Sequence, residues 1–161
     1  MNDRRTFLAL IGAGVAGLLL FGRSANAKLA FEVNHTPAQW RQLLGDQRYH
    51  ILREAGTEPR FSSPLLNEHR RGTFVCAACA LPLFSSTTKF ESGTGWPSFW
   101  KPLPNAVVTQ PDRHYPYTVG APTEVLCRRC GGHLGHVFTD GPRPTGLRYC
   151  MDGVALRFRP A

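Results

Sequence analysis

Apolar and polar positions along this chain follow three successive patterns. An uncharged apolar stretch runs from Phe7 to Phe21, preceded by Arg4-Arg5 and followed by Ala25-Asn26-Ala27. Its 15 residues fall short of the ~18 or more that a membrane-spanning helix needs. A basic start, a short apolar run and an Ala-x-Ala motif predict a signal peptide over residues 1–27, cleaved ahead of Lys28. The alternative is an uncleaved signal that tethers the chain to a membrane.

Helical periodicity comes next. Thr36-Pro37-Ala38-Gln39 supplies an N-cap, a proline at the first helical position and a capping-box glutamine, and Trp40, Leu43 and Leu44 recur at helical spacing. A second short helical stretch is expected from Tyr49 to Glu54, ending at Gly56. Beyond Pro59 the pattern changes to short β-prone runs punctuated by glycine and proline: Thr73–Cys76, Ala106–Thr109, Glu124–Cys127 and Tyr149–Phe158. Residues 101–123, with five prolines and Arg113-His114-Tyr115, are expected to hold a long irregular connection. If the last run is one strand, Arg148, Cys150, Asp152, Val154, Leu156 and Phe158 share a face, and Arg157 and Arg159 point to solvent.

Composition narrows the class. The formal net charge of +8 falls to +6 once residues 1–27, with three arginines and one aspartate, are removed. Only Arg70-Arg71 and Arg128-Arg129 are adjacent, which is too sparse for a nucleic-acid footprint, and no nucleic-acid partner is expected. The remaining 134 residues suit one domain, 28–161. The paired arginines before Phe7-Leu8 suggest twin-arginine export and a periplasmic destination, with no stable membrane span after cleavage. Nothing calls for an obligate interface, so a monomer is expected.

The five cysteines divide four and one. Cys76-x-x-Cys79 and Cys127-x-x-Cys130 have the spacing of two knuckles that converge on one tetrahedral Zn²⁺, a closed structural site. An exported chain also permits two disulfides and one free thiol. Cys150 stands outside both pairs and is the candidate nucleophile. Arg148 supplies positive charge beside it, or is simply a surface arginine. His133 and His136 are spaced to line one pocket and to protonate an oxygen, with zinc ligation as the competing role. In Ser92-Gly93-Thr94-Gly95-Trp96-Pro97-Ser98-Phe99, proline holds Trp96 extended, so its ring can wall a pocket for a methyl on sulfur or pack as core.

These residues resemble the type B methionine-R-sulfoxide reductases over about residues 36–161. The resemblance rests on Gly56-Thr57-Glu58, both knuckles, the Ser92–Phe99 segment, Gly132-His133-Leu134-Gly135-His136-Val137-Phe138, and Asp140-Gly141-Pro142 leading to Gly146-Leu147-Arg148-Tyr149-Cys150. It implies a mainly β fold, a β-tent of two antiparallel sheets with a four-cysteine zinc site and short N-terminal helices. It also implies reduction of the R epimer of methionine sulfoxide in oxidised proteins. Cys150 would attack the sulfoxide sulfur and become a sulfenic acid. His133 and His136 would protonate the oxygen, Trp96 and Phe138 would contact substrate, Arg148 would support the thiolate, and Cys76, Cys79, Cys127 and Cys130 would hold zinc.

Two departures from the family stand out. Many members carry a resolving cysteine where this chain has Thr94, so reduction by an external thiol is expected, from a thioredoxin-like protein or a small thiol. Asp152 stands where asparagine is usual, so a carboxylate either opposes the thiolate or pairs with Arg148. A rival reading, a non-catalytic zinc module that binds a protein partner, has no need for Cys150, His133, His136 and Trp96 together.

Overall fold

The computed structural model describes residues 30–112 and 122–161. The expected signal peptide and Arg113-His114-Tyr115 lie outside the described residues. Among the described residues one α-helix, α1 (Pro37–Glu54), precedes nine strands: β1 (Gly72–Cys76), β2 (Pro82–Ser85), β3 (Lys89–Phe90), β4 (Ser98–Phe99), β5 (Val107–Pro111), β6 (Thr123–Cys127), β7 (His133–Phe138), β8 (Arg148–Met151) and β9 (Leu156–Pro160). They form a three-stranded sheet, β2-β1-β9, and a six-stranded sheet, β3-β4-β8-β7-β6-β5. Every pairing among them is antiparallel. The architecture is the expected mainly β pair of sheets.

The capping box is formed. Thr36 Oγ1 accepts from the Gln39 backbone N–H at 3.3 Å, and Gln39 Oε1 accepts from the Thr36 N–H at 2.9 Å. The two expected helical stretches are one element kinked at Gly45, whose φ of 71° glycine adopts without steric cost. Trp40, Leu44, Ile51 and Leu52 face the core, whereas Leu43 is 60% exposed. The helix ends at Ala55 in the left-handed conformation, and the Gly56 N–H bonds His50 O at 3.0 Å.

A cluster of aromatic rings joins the sheets. Phe84 of β2 stacks on Phe99 of β4 at 4.4 Å between centroids, and Phe74 of β1 meets Phe99 edge-on at 4.9 Å. All three are fully buried, each contributing roughly 1.5–3 kcal/mol of hydrophobic stabilisation.

The C-terminal run departs from expectation. It is two strands in different sheets, separated by Asp152 and a 3-10 turn at Gly153–Ala155. Asp152 therefore does not continue the face of Cys150 along one strand. The crossing is held from outside: Glu58 Oε1 accepts the Gly153 N–H at 2.5 Å and Oε2 accepts the Val154 N–H at 3.0 Å. Arg157 and Arg159 are exposed, as expected. The β run expected at Ala106–Thr109 is β5, which extends to Pro111 within the segment expected to be irregular and pairs along β6 from Val107↔Cys127 to Pro111↔Thr123.

Candidate active site and cysteine cluster

The two knuckles have the same local geometry. Cys76 ends β1 and Cys127 ends β6, and each opens a turn closed by a 2.8 Å bond, Ala80 N–H to Cys76 O and Gly131 N–H to Cys127 O. Ala80 (φ 61°) and Gly131 (φ 66°) make the left-handed bend that brings the second thiol of each pair back toward the first. The four Sγ atoms lie within 4.8 Å of one another, with Cys76–Cys130 at 3.7 Å and Cys79–Cys127 at 3.5 Å. Zn–S bonds of ~2.3 Å in a tetrahedron set sulfur atoms roughly 3.8 Å apart, whereas a disulfide needs ~2.05 Å. The spacing suits a shared cation. The histidines are not needed to complete the set.

Cys150 is placed by strand register. On β8 it lies directly opposite Ser98 of β4 and His136 of β7; His136 lies opposite Glu124 of β6, and Glu124 opposite Gln110 of β5. Directly paired residues share a face, so Ser98, Cys150, His136, Glu124 and Gln110 form one polar row across five strands. His133, three residues before His136, would face away on a regular strand. The register shift between β6 and β7 prevents this, because Leu126 pairs with His133 while Val125 pairs with Gly135, leaving Leu134 as the extra residue. The two rings consequently sit 5.3 Å apart. Gly135 is required beside them, since a Cβ there would lie 2.2 Å from the Cys150 carbonyl oxygen.

Each histidine is held by a carboxylate. His133 Nδ1 pairs with Glu124 Oε1 at 2.7 Å, and Gln110 Nε2 donates to Glu124 Oε2 at 2.8 Å. His136 Nε2 pairs with Asp112 Oδ2 at 2.5 Å. Burial pushes His136 below the usual imidazole value, opposed by the Asp112 hydrogen bond.

A pocket of about 150 Å³ opens over this row, lined by Thr57, Trp96, Gly135, His136, Phe138, Cys150 and Asp152. Trp96 is a pocket wall as well as a packed ring, its Nε1–H donating to Glu58 O at 3.1 Å. Two expectations need correction. His133 does not line the pocket; it is 2% exposed and sits behind, because the bulge sinks it beneath the surface of the sheet. Arg148 does not pair with Asp152. Its guanidinium makes two bonds to Asp140, at 2.9 and 2.8 Å, and stacks over Phe138 at 4.3 Å. The Asp140 hydrogen bond chiefly raises the Arg148 pKa, with the Cys150 sulfur adding to it.

Asp152 has other partners. Its Oδ1 accepts the Glu58 N–H at 2.8 Å, and its Oδ2 lies 3.8 Å from His133 Nε2. Burial pushes its pKa up to about 6, and burial also raises Glu58. Glu58 thus holds the pocket on three sides, through its N–H to Asp152, its carbonyl to Trp96 and its carboxylate to the turn after Asp152. Sequence reasoning assigned no role to Glu58, Glu124 or Asp112. The available signals were a charged residue next to an apolar run, Glu124 before Val125-Leu126, and the place of Glu58 in the Gly56-Thr57-Glu58 motif; Asp112 gave none outside the fold.

Fold and site together define a two-sheet β protein with one cysteine in a small pocket and a separate four-cysteine cluster able to hold a metal. Comparison with known proteins agrees: the SelR domain family matches residues 44–160. The chain is 51% identical over 130 residues to the peptide methionine sulfoxide reductase MsrB of Leptospira interrogans, covering 80% of this chain and 97% of that protein. It is 51% identical to the enzyme of the same name from Agrobacterium fabrum, covering 80% and 94% of the two chains. For that of Thiobacillus denitrificans the identity is 52% over 126 residues, covering 78% and 93%. The chain belongs to the MsrB family of peptide methionine sulfoxide reductases. That membership does not favour the non-catalytic zinc module.

Proposed function

We propose that this protein reduces the R epimer of methionine sulfoxide in oxidised proteins, with Cys150 as nucleophile. What supports this is the placement of Cys150 directly opposite His136 in a small pocket walled by Trp96 and Phe138. A methionine S-methyl fits the aromatic wall, and the sulfoxide oxygen then meets the polar row. The Cys150 thiolate attacks the sulfoxide sulfur and forms an S–S bond; the protonated oxygen then passes to Cys150 as that S–S bond and the S–O bond break, leaving two electrons on methionine sulfur. Methionine and a Cys150 sulfenic acid result. His136 bonds the oxygen, and Arg148, oriented by Asp140 and Phe138, favours the thiolate. His133 acts from behind, through groups that reach the pocket. Cys76, Cys79, Cys127 and Cys130 hold structural zinc, which ties the knuckles together and supplies no catalytic position.

The reading is tested by turnover of a peptide bearing each sulfoxide epimer separately, with dithiothreitol as reductant. Consumption of the R epimer alone is expected. Equal use of both epimers, or of neither, overturns it.

The sulfenic acid is reduced from outside the chain, by a thioredoxin-like protein or a small thiol. Thr94 occupies the place of an internal resolving thiol, its Oγ1 lying 3.6 Å from Cys150 Sγ, while the other four cysteines are committed to the cluster. Thr94→Cys should therefore form a 94–150 disulfide after one equivalent of sulfoxide. Intact-mass measurement checks it: the variant is expected to lose two hydrogens, while the wild type gains one oxygen. The Phe7–Phe21 run and its flanks support export to the periplasm with the signal removed near Lys28.

A further inference from the structure

Three buried groups stand in line behind the pocket. Glu124 Oε1 is 2.7 Å from His133 Nδ1, and His133 Nε2 is 3.8 Å from Asp152 Oδ2. The three are 1%, 2% and 3% exposed, respectively. Of them, only Asp152 reaches the pocket surface beside Cys150. The hydrogen bonds constrain the protons. With Nδ1–H given to the Glu124 carboxylate, His133 Nε2 is a buried nitrogen that makes no hydrogen bond in this state. Asp152 Oδ1 is occupied by the Glu58 N–H, which leaves Oδ2 directed at the gap before that nitrogen. At this separation the two atoms do not hydrogen-bond, and burial disfavours a charge on the carboxyl that faces the gap.

We infer that Asp152 is the acid that protonates the sulfoxide oxygen in this enzyme, kept neutral by burial beside Glu58 and the His133–Glu124 pair. This deepens the function proposed above and rests on it. The step balances. The carboxyl O–H bond of Asp152 breaks as the sulfoxide oxygen takes the proton and Cys150 Sγ bonds to the sulfoxide sulfur. The S–O and S–S bonds to methionine sulfur then break as the hydroxyl passes to Cys150 Sγ, methionine sulfur gains the two electrons that Cys150 sulfur loses, and Asp152 is left as carboxylate. A proton from solvent, entering through the pocket that Asp152 lines, restores the acid once methionine has left. Among the titratable groups around Asp152, Glu58 approaches from the loop after α1, His133 and His136 from β7 and Cys150 from β8, while the cation nearest in sequence, Arg148, is engaged by Asp140. Buried carboxyl neighbours and a cation turned elsewhere favour a neutral carboxyl, and the pKa raised to about 6 agrees.

The test is the single-turnover rate of sulfenic acid formation on an R-sulfoxide peptide, in wild type and Asp152→Asn, across pH 5.5 to 8.5. Each rate is divided by the thiolate fraction of Cys150 from alkylation at the same pH. Asparagine keeps an Oδ1 for the Glu58 N–H and removes only the ionisable proton, so thermal melting should be little changed. The wild-type rate per thiolate is expected to fall about tenfold per pH unit above about 6. The variant should be slower than wild type at pH 6 and show no such decline. If Asp152→Asn fails to fold, the wild-type profile still decides, because a flat rate per thiolate overturns the assignment. So does a variant that is as fast as wild type at pH 6. R-specific turnover with a flat profile removes only this inference, whereas no turnover of either epimer by wild type removes the function beneath it.

Discussion

Cys150→Ser is expected to abolish sulfoxide reduction, lowering the rate on the order of 10⁴-fold or more, as loss of a covalent nucleophile does. That corresponds to about 5.5 kcal/mol of lost transition-state stabilisation. The cause is chemical. A serine hydroxyl keeps the volume and the contact with Thr94, but it neither ionises near neutral pH nor donates two electrons to a sulfoxide. Cys150 lies at the edge of a pocket, half-buried, on a strand whose pairing with β4 and β7 uses backbone groups alone. Fold stability should consequently change by no more than about 1 kcal/mol. Parallel measurement of turnover and thermal melting checks both halves. Activity retained at even a tenth of wild type would remove Cys150 from the central role.

Metal removal should have the largest effect on stability. The cluster joins the end of β1, in the three-stranded sheet, to the end of β6, in the six-stranded sheet, so a metal there is a staple between sheets. Structural zinc binding contributes roughly 10–16 kcal/mol in small domains, against a total stability of about 5–15 kcal/mol. The first quantity matches or exceeds the second. Cys127→Ser, or a strong chelator, is expected to unfold the protein rather than merely weaken it. Zinc release read by a colorimetric indicator should coincide with loss of β-sheet circular dichroism. A metal-free protein that stays folded and active would refute the staple.

Some of this was legible along the chain because the signals are local. The capping box at Thr36 and Gln39 needs only residues three apart, and it is formed. The knuckles are likewise short turns, repeated closely enough for their convergence to be expected. Other features were not legible, because they depend on what lies opposite. β7 was hidden by two histidines and a glycine in a six-residue strand, and β3 and β4 are two residues each. The Tyr149–Phe158 run reads as one strand by alternation, yet it breaks at Asp152 because Glu58, 95 positions away from Gly153, caps the turn there.

The sequence by itself determined which residues are the candidates for the chemistry: the lone Cys150, the paired cysteines, the two histidines and Trp96. Motif spacing records these because knuckles and turns are short-range objects. Only the tertiary structure decided their relations. A bulge of one residue put His133 and His136 on the same face and buried the first behind the second. Strand register then brought Cys150 opposite His136, Asp140 claimed Arg148, and Glu58 and His133 enclosed Asp152. Register and burial come from pairing between distant segments, and a carboxyl becomes an acid or a counter-ion according to the groups that packing places around it.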